Sequence, residues 1–149
     1  MLKNCKFTFS AWGLGLFLLV MLPNFIWFAV PAPNDVLRNE SITPVADMIG
    51  SVAQVVFVAA LCLFVRTDVK KVRFSPFVMM TIACVLVYFA GWLLYYLGMT
   101  GAPVILMLTV PPCLAFIFFA LDRKNCLALI PAAVFTVCHV IFGVVNFII

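Results

Sequence analysis

The side chains able to do chemistry in this sequence are few, and most of them interrupt long apolar runs. Asp47, Ser51 and Gln54 are spaced i, i+4 and i+7, which places them on one face of a helix. His139 is the only histidine of the chain, and Asp47 is the only acid well inside an apolar run. Asn24 and Thr109 interrupt two further runs, and Asn146 follows His139 in the last. Polar groups in hydrocarbon are costly, so they turn toward other helices or a cavity and mark the natural place for a ligand. The chemistry on offer is hydrogen bonding by amides and hydroxyls, one carboxylate, and an imidazole that can change charge near neutral pH.

These residues do not assemble a catalytic centre. A single histidine rules out a His-Glu-x-x-His zinc site, and no Cys-x-x-Cys pair, Gly-x-Ser-x-Gly elbow or phosphate loop occurs. One acid within a span excludes an aspartyl dyad inside one chain. Cys138 and His139 are neighbours, so on a helix they point about 100° apart and cannot work as nucleophile and base. Thr136 and His139 share a face but lack a third, orienting group. The expectation is a non-enzymatic protein without metal or cofactor, whose ligand-binding candidates are His139, Gln54, Asp47, Asn24 and Thr109.

The elements that must position these residues follow from composition. Of 149 residues, 67% are hydrophobic and 9% charged, with a mean hydropathy of +1.28, whereas soluble domains are roughly half apolar and a quarter charged. A membrane span takes about 20 residues. Five runs meet that length, at about 7–30, 45–65, 77–97, 103–121 and 127–148, and they leave no room for a soluble domain. The expected fold is all-α, a single integral membrane bundle of five helices. Lys3 and Lys6 before the first run imitate a secretory signal, but the run is too long for one and Pro33 would block cleavage after Ala32. It is expected to stay as an uncleaved span.

Eight of the nine Lys and Arg residues fall in the N-terminus, the second connector (Arg66, Lys70, Lys71, Arg73, with Asp68) and the fourth (Arg123, Lys124). Only Arg38 lies on the other side. Basic residues are retained in the cytoplasm, so the N-terminus is expected inside and the C-terminus outside. Trp27, Trp92, Tyr95 and Tyr96 then fall near the outer ends of their spans and Trp12 and Phe74 near the inner face, where amphipathic rings settle. The net charge of +4 is topological, because scattered basic residues form no face for phosphates. No nucleic acid partner is expected. None of the six cysteines falls in an outside segment, which argues against a disulfide framework. Asn39-Glu40-Ser41 is a glycosylation sequon.

Ala46, Gly50 and Ala53 form a strip of small residues that lets another backbone approach, so the second helix is expected to be buried in the bundle. Pro23, Pro131 and above all Pro111 and Pro112 interrupt helices, and the fourth helix is expected to kink at its Pro-Pro pair. Pro23 and Pro112 would suit two inverted halves, although the residues around them match poorly. The polar groups lie mostly in the outer half, while Cys62, Cys84, Phe116, Phe118 and Phe119 fill the inner half. A shallow cavity open to the outside would explain that division.

The stretches Leu22-Pro23-Asn24, Leu121 to Asn125 and Phe135 to His139 resemble those of uncharacterised small polytopic membrane proteins of Gram-positive bacteria. The resemblance implies a bacterial cytoplasmic (plasma) membrane and carries no function. Two functional classes follow from the residues themselves. One is a small-molecule binding or transport protein with an outward-facing cavity, completed by a homo-oligomer if five helices make too narrow a path. The other is a non-catalytic membrane helper, a regulatory or immunity-type subunit bound to a partner membrane protein. In both, the lipid bilayer is the surrounding medium.

Overall fold

The computed structural model describes residues 5–67, 69, 72 and 74–149. Of the basic residues used for topology, Lys3, Lys70, Lys71 and Arg73 lie outside the described residues, as does Asp68. Among the described residues there are five α-helices: α1 (Ala11–Ala29), α2 (Pro44–Leu63), α3 (Pro76–Tyr96), α4 (Ala102–Asp122) and α5 (Cys126–Phe147). Each is 19 to 22 residues long and apolar enough to cross a membrane, because about 1.5 Å of rise per residue carries such a helix through a hydrocarbon core of about 30 Å. Five such helices fit a multi-pass membrane protein.

Local chemistry sets the helix starts. Ser10, Ser75 and Asn125 are N-caps whose side-chain oxygens accept from the amides of Gly13, Val78 and Ala128 at 3.1, 3.2 and 3.1 Å, satisfying donors that the first turn leaves free. Pro44 and Pro76 open α2 and α3, where the missing N–H is harmless. The first helix starts at Ala11 rather than Phe7, since Cys5–Phe7 (β1) pairs antiparallel with Phe64–Arg66 (β2). Thr8 and Ser10 then donate to the carbonyls of Leu63 and Cys62 at 2.9 and 2.7 Å, so the N-terminal segment satisfies acceptors at the end of α2 that have no partner within the helix.

The second helix, expected to be buried in the bundle, is buried along one face only, and α4 is the more enclosed element. Six of its residues are buried against ten in α4, because α4 is packed between α3 and α5 whereas α2 leans mainly on α5. The small-residue strip does allow a close approach, with Gly50 set against Cys138, but on one side only. Val45, Met48, Val52, Val55 and Val56 remain exposed, as suits a surface facing lipid. Phe57 is fully buried and joins three helices, its ring 4.9 Å from that of Phe116 and 5.3 Å from that of Phe135. Pro111 and Pro112 sit inside an uninterrupted α4, where they withdraw the donors that would meet the carbonyls of Met107 and Leu108.

Asn125 ties the start of α5 to the end of α2. It is 4% exposed, caps α5, and donates through Nδ2 to the carbonyls of Ala60 and Phe64, each at 3.0 Å. Asn125→Ala removes the cap and the donor shared by the carbonyls of Ala60 and Phe64, of which Ala60 keeps the Phe64 amide, a loss of about 2 kcal/mol. A lowered thermal midpoint in detergent, with Asn125→Asp intermediate because it keeps the cap and loses the donor, is the expected result. Equal midpoints for all three proteins would show that the contact contributes nothing.

Candidate functional site

A cavity of about 310 Å³ lies in the half of the bundle that carries the connector between α1 and α2, and it is lined by residues of all five helices. Four of the five residues singled out in the sequence line it: Asn24 from α1, Gln54 from α2, Thr109 from α4 and His139 from α5. Asp47 does not. It lines a second cavity of about 220 Å³ between α2 and α5, together with Ser51. Gln54 and His139 border both cavities and so stand as the partition between them.

Hydrogen bonding separates the candidates into two kinds. Asn24 donates to the hydroxyl of Tyr88 at 2.6 Å and to the carbonyl of Val20 at 3.2 Å, which fastens α1 to α3. Thr109 is buried and donates to the carbonyl of Ile105 at 2.7 Å. Its side chain fills the space beside Gly143, where an added Cβ would come within 2.5 Å of Oγ1. Asp47, in the first turn of α2, accepts from Thr43 Oγ1 at 3.0 Å. These three spend polar atoms on the protein itself.

Gln54 and His139 are different. Both are half-buried, and neither makes a hydrogen bond among the described residues. The imidazole stacks between two phenyl rings, 5.0 Å from that of Phe135 at 17° and 6.2 Å from that of Phe142 at 15°. These spacings follow from i−4 and i+3 positions on α5, which bring side chains over one another. Trp92 adds a third available group: it is 5% exposed, lines the larger cavity, and its indole N–H is the one fully buried side-chain donor without an acceptor among the described residues.

Two parts of the site were not legible as such in the sequence. The first is an aromatic wall. Trp27, Tyr88 and Trp92 line the cavity, with Trp92 6.3 Å from both Trp27 and Tyr88. Trp27 and Trp92 read only as interfacial rings, and Tyr88 carried no signal. The second is the roof. The α1–α2 connector carries a 3-10 turn at Val36–Arg38, and Leu37 from that turn lines the cavity.

The roof is fastened at both ends. The carboxylate of Asp35 accepts from Trp27 Nε1 at 2.8 Å, Tyr95 Oη at 2.9 Å and Arg38 Nε at 2.7 Å. Tyr95 Oη in turn accepts from the Leu37 amide at 3.1 Å. Arg38 also donates to the Trp27 carbonyl at 2.7 Å and lies over the Trp27 ring at 4.9 Å. Burial alone would push the Asp35 carboxyl up, but the hydrogen bonds from Trp27, Arg38 and Tyr95 and the Arg38 charge outweigh it and hold the group below its ordinary value. At the other end, Asn146 accepts from the Ile42 amide at 2.7 Å and donates to Thr43 Oγ1 at 2.8 Å. The spacing Asp35-x-x-Arg38, with Trp27 eight residues before it, is the signal that could have found this latch.

Neither a family model, nor a curated protein, nor a solved structure matches the chain.

Proposed function

We propose that the chain binds or carries a small molecule through an outward-facing cavity, in a bacterial cytoplasmic membrane with its N-terminus inside and its C-terminus outside. The asymmetry of Lys and Arg supports the orientation, and the resemblance to Gram-positive membrane proteins supports the compartment. In that orientation the connector between α1 and α2 lies outside and roofs the cavity. The observation that carries the reading is the state of Gln54 and His139. Two half-buried polar side chains border a cavity without a hydrogen-bond partner among the described residues, and inside a membrane such groups are costly unless something else satisfies them. Packing alone gives no reason for their being polar.

The non-catalytic helper reading draws support from Asn24 and Thr109, whose hydrogen bonds are spent within the bundle. The two readings separate in native mass spectrometry of the protein extracted gently from its own membrane. The expected result is a reproducible non-lipid adduct on the wild-type chain, lost in His139→Ala while the helical content measured by circular dichroism is unchanged. A stoichiometric second protein with no small-molecule adduct would sink the binding reading and make that protein the clue to function.

A further inference from the structure

We infer that the ligand of the cavity lined by Gln54, His139 and Trp92 is an uncharged, planar molecule of about two fused aromatic rings carrying one group that both donates and accepts hydrogen bonds, a carboxamide or its equivalent; this rests on the binding reading above. Charge is argued first. No Asp, Glu, Lys or Arg lines the cavity among the described residues, and an ion taken from water into such a space costs far more than its contacts return unless a counter-charge meets it. Of the two nearby carboxylates, Asp35 is occupied by three donors, and Asp47, which accepts from Thr43, borders the adjoining space rather than this one. Aromatic faces can hold a cation in place of a carboxylate, but the guanidinium of Arg38 already covers the Trp27 ring and its charge opposes a second cation there.

Shape and size come next. One wall is built of Trp27, Tyr88 and Trp92, and α5 contributes Phe135, His139 and Phe142 as nearly parallel rings. Flat aromatic molecules gain most from such surfaces, because offset stacking and edge contacts satisfy the ring quadrupoles. An apolar cavity of about 150 Å³ holds a single benzene. The 310 Å³ here suits about two rings.

The polar group follows from what is left unpaired. A glutamine amide offers two donors and an acceptor, and a neutral imidazole offers one of each. Asn24 and Thr109 have used their donors on Tyr88, Val20 and Ile105, and Trp92 offers a donor alone, so Gln54 and His139 are the pair that both donates to and accepts from the ligand. A carboxamide complements both, whereas a bare hydrocarbon leaves them unsatisfied.

The test uses the full chain in lipid nanodiscs and four probes with one naphthalene skeleton: naphthalene-2-carboxamide, naphthalene, naphthalene-2-carboxylate and 2-naphthyltrimethylammonium. Calorimetric titration is corrected with empty nanodiscs, which removes lipid partitioning. The expected result is saturable one-to-one binding of the carboxamide, roughly tenfold or more tighter than either charged probe or naphthalene. Gln54→Leu and His139→Phe, which preserve bulk and ring, should abolish the advantage of the carboxamide over naphthalene while naphthalene itself binds as before, which also shows that the variants are folded. If a charged probe binds best and depends on Gln54 or His139, the assigned ligand class is overturned and the binding reading survives. Should no probe bind above empty discs, both the ligand class and the aromatic cavity as its site are overturned. An advantage for the carboxamide that persists in both variants would also overturn the assignment.

Discussion

Asp35→Ala is expected to lower the stability of the protein by roughly 2–3 kcal/mol, more than any other single change in the α1–α2 connector. The carboxylate gathers Trp27, Arg38 and Tyr95 at 2.7–2.9 Å, and its side chain is 11% exposed. Truncation leaves the indole N–H and the tyrosine hydroxyl without their acceptor. Bonds to a charged group each contribute about 1.5–3 kcal/mol, but the total here stays below the sum of three. Arg38 is 44% exposed, so water screens its part of the interaction and resolvates it after truncation. Glu40→Ala removes the same charge from an exposed position of the same connector and should leave the midpoint unchanged. Matching midpoints for the two variants in thermal denaturation would show that the latch has no energetic weight.

The latch also sets a pH dependence. The folded-state value of Asp35 lies below its ordinary value, so the native state binds the proton less readily than the unfolded chain does. Its contribution is therefore complete above the ordinary aspartate pKa of about 3.9 and is lost as pH falls below that value through the folded one. Wild type and Asp35→Ala should differ in midpoint at pH 7 and converge in strong acid. A difference that instead grew as pH fell would contradict the assignment of the carboxylate as the ionised acceptor.

The second large effect is expected at Gly13, where alanine should destabilise the protein by about 1–3 kcal/mol. An added Cβ would lie 2.5 Å from the carbonyl oxygen of Leu61 and 3.0 Å from its carbon. Both are backbone atoms of α2, so no side chain can rotate out of the way. Nor can α1 slide aside freely, because Ser10 donates to the Cys62 carbonyl at 2.7 Å and β1 is paired with β2 just before it. Gly15, two residues on in the same helix, has nothing within 4 Å of an added Cβ. Gly15→Ala should be neutral or stabilise by about 0.5–1 kcal/mol, since glycine is the poorer helix former. The midpoint of Gly13→Ala should fall below the wild-type value and that of Gly15→Ala at or above it; equal midpoints for the two variants would show that the contact with α2 does not govern Gly13.

That contrast marks the boundary of what sequence alone carries. Gly13 and Gly15 stand in the same apolar run with the same type of neighbours, and only the approach of α2, an element some fifty positions along the chain, tells them apart. The five helices were legible because apolar length is a property of a continuous segment: a run of about 20 such residues has one low-cost solution in a bilayer, with every backbone group bonded inside the helix. Asn24, Gln54, Thr109 and His139 were legible as candidates for a similar reason, since a polar group inside an apolar run is a local anomaly. Their shared half of the bundle already suggested one cavity, and these four do line one, but that Asp47 borders a different space was not legible, because it depends on how helices pack.

Which of the candidates remain open to a ligand was decided by the tertiary structure. Asn24 has its partner 64 positions away at Tyr88, and Asp35 finds Tyr95 at a separation of 60. A hydrogen bond across such a distance leaves no periodicity to read. The same holds for burial: the small-residue strip of α2 correctly marks a face of close approach, yet how many neighbours surround a helix is a property of the bundle, and it made α4 the central element. Sequence by itself determined the membrane-spanning helices and the short set of polar side chains they carry. The packing of α1, α3, α4 and α5 with α2 decided that Asn24 and Thr109 are spent on structure while Gln54 and His139 are not, because satisfaction of a polar group depends on atoms brought near it in space rather than along the chain.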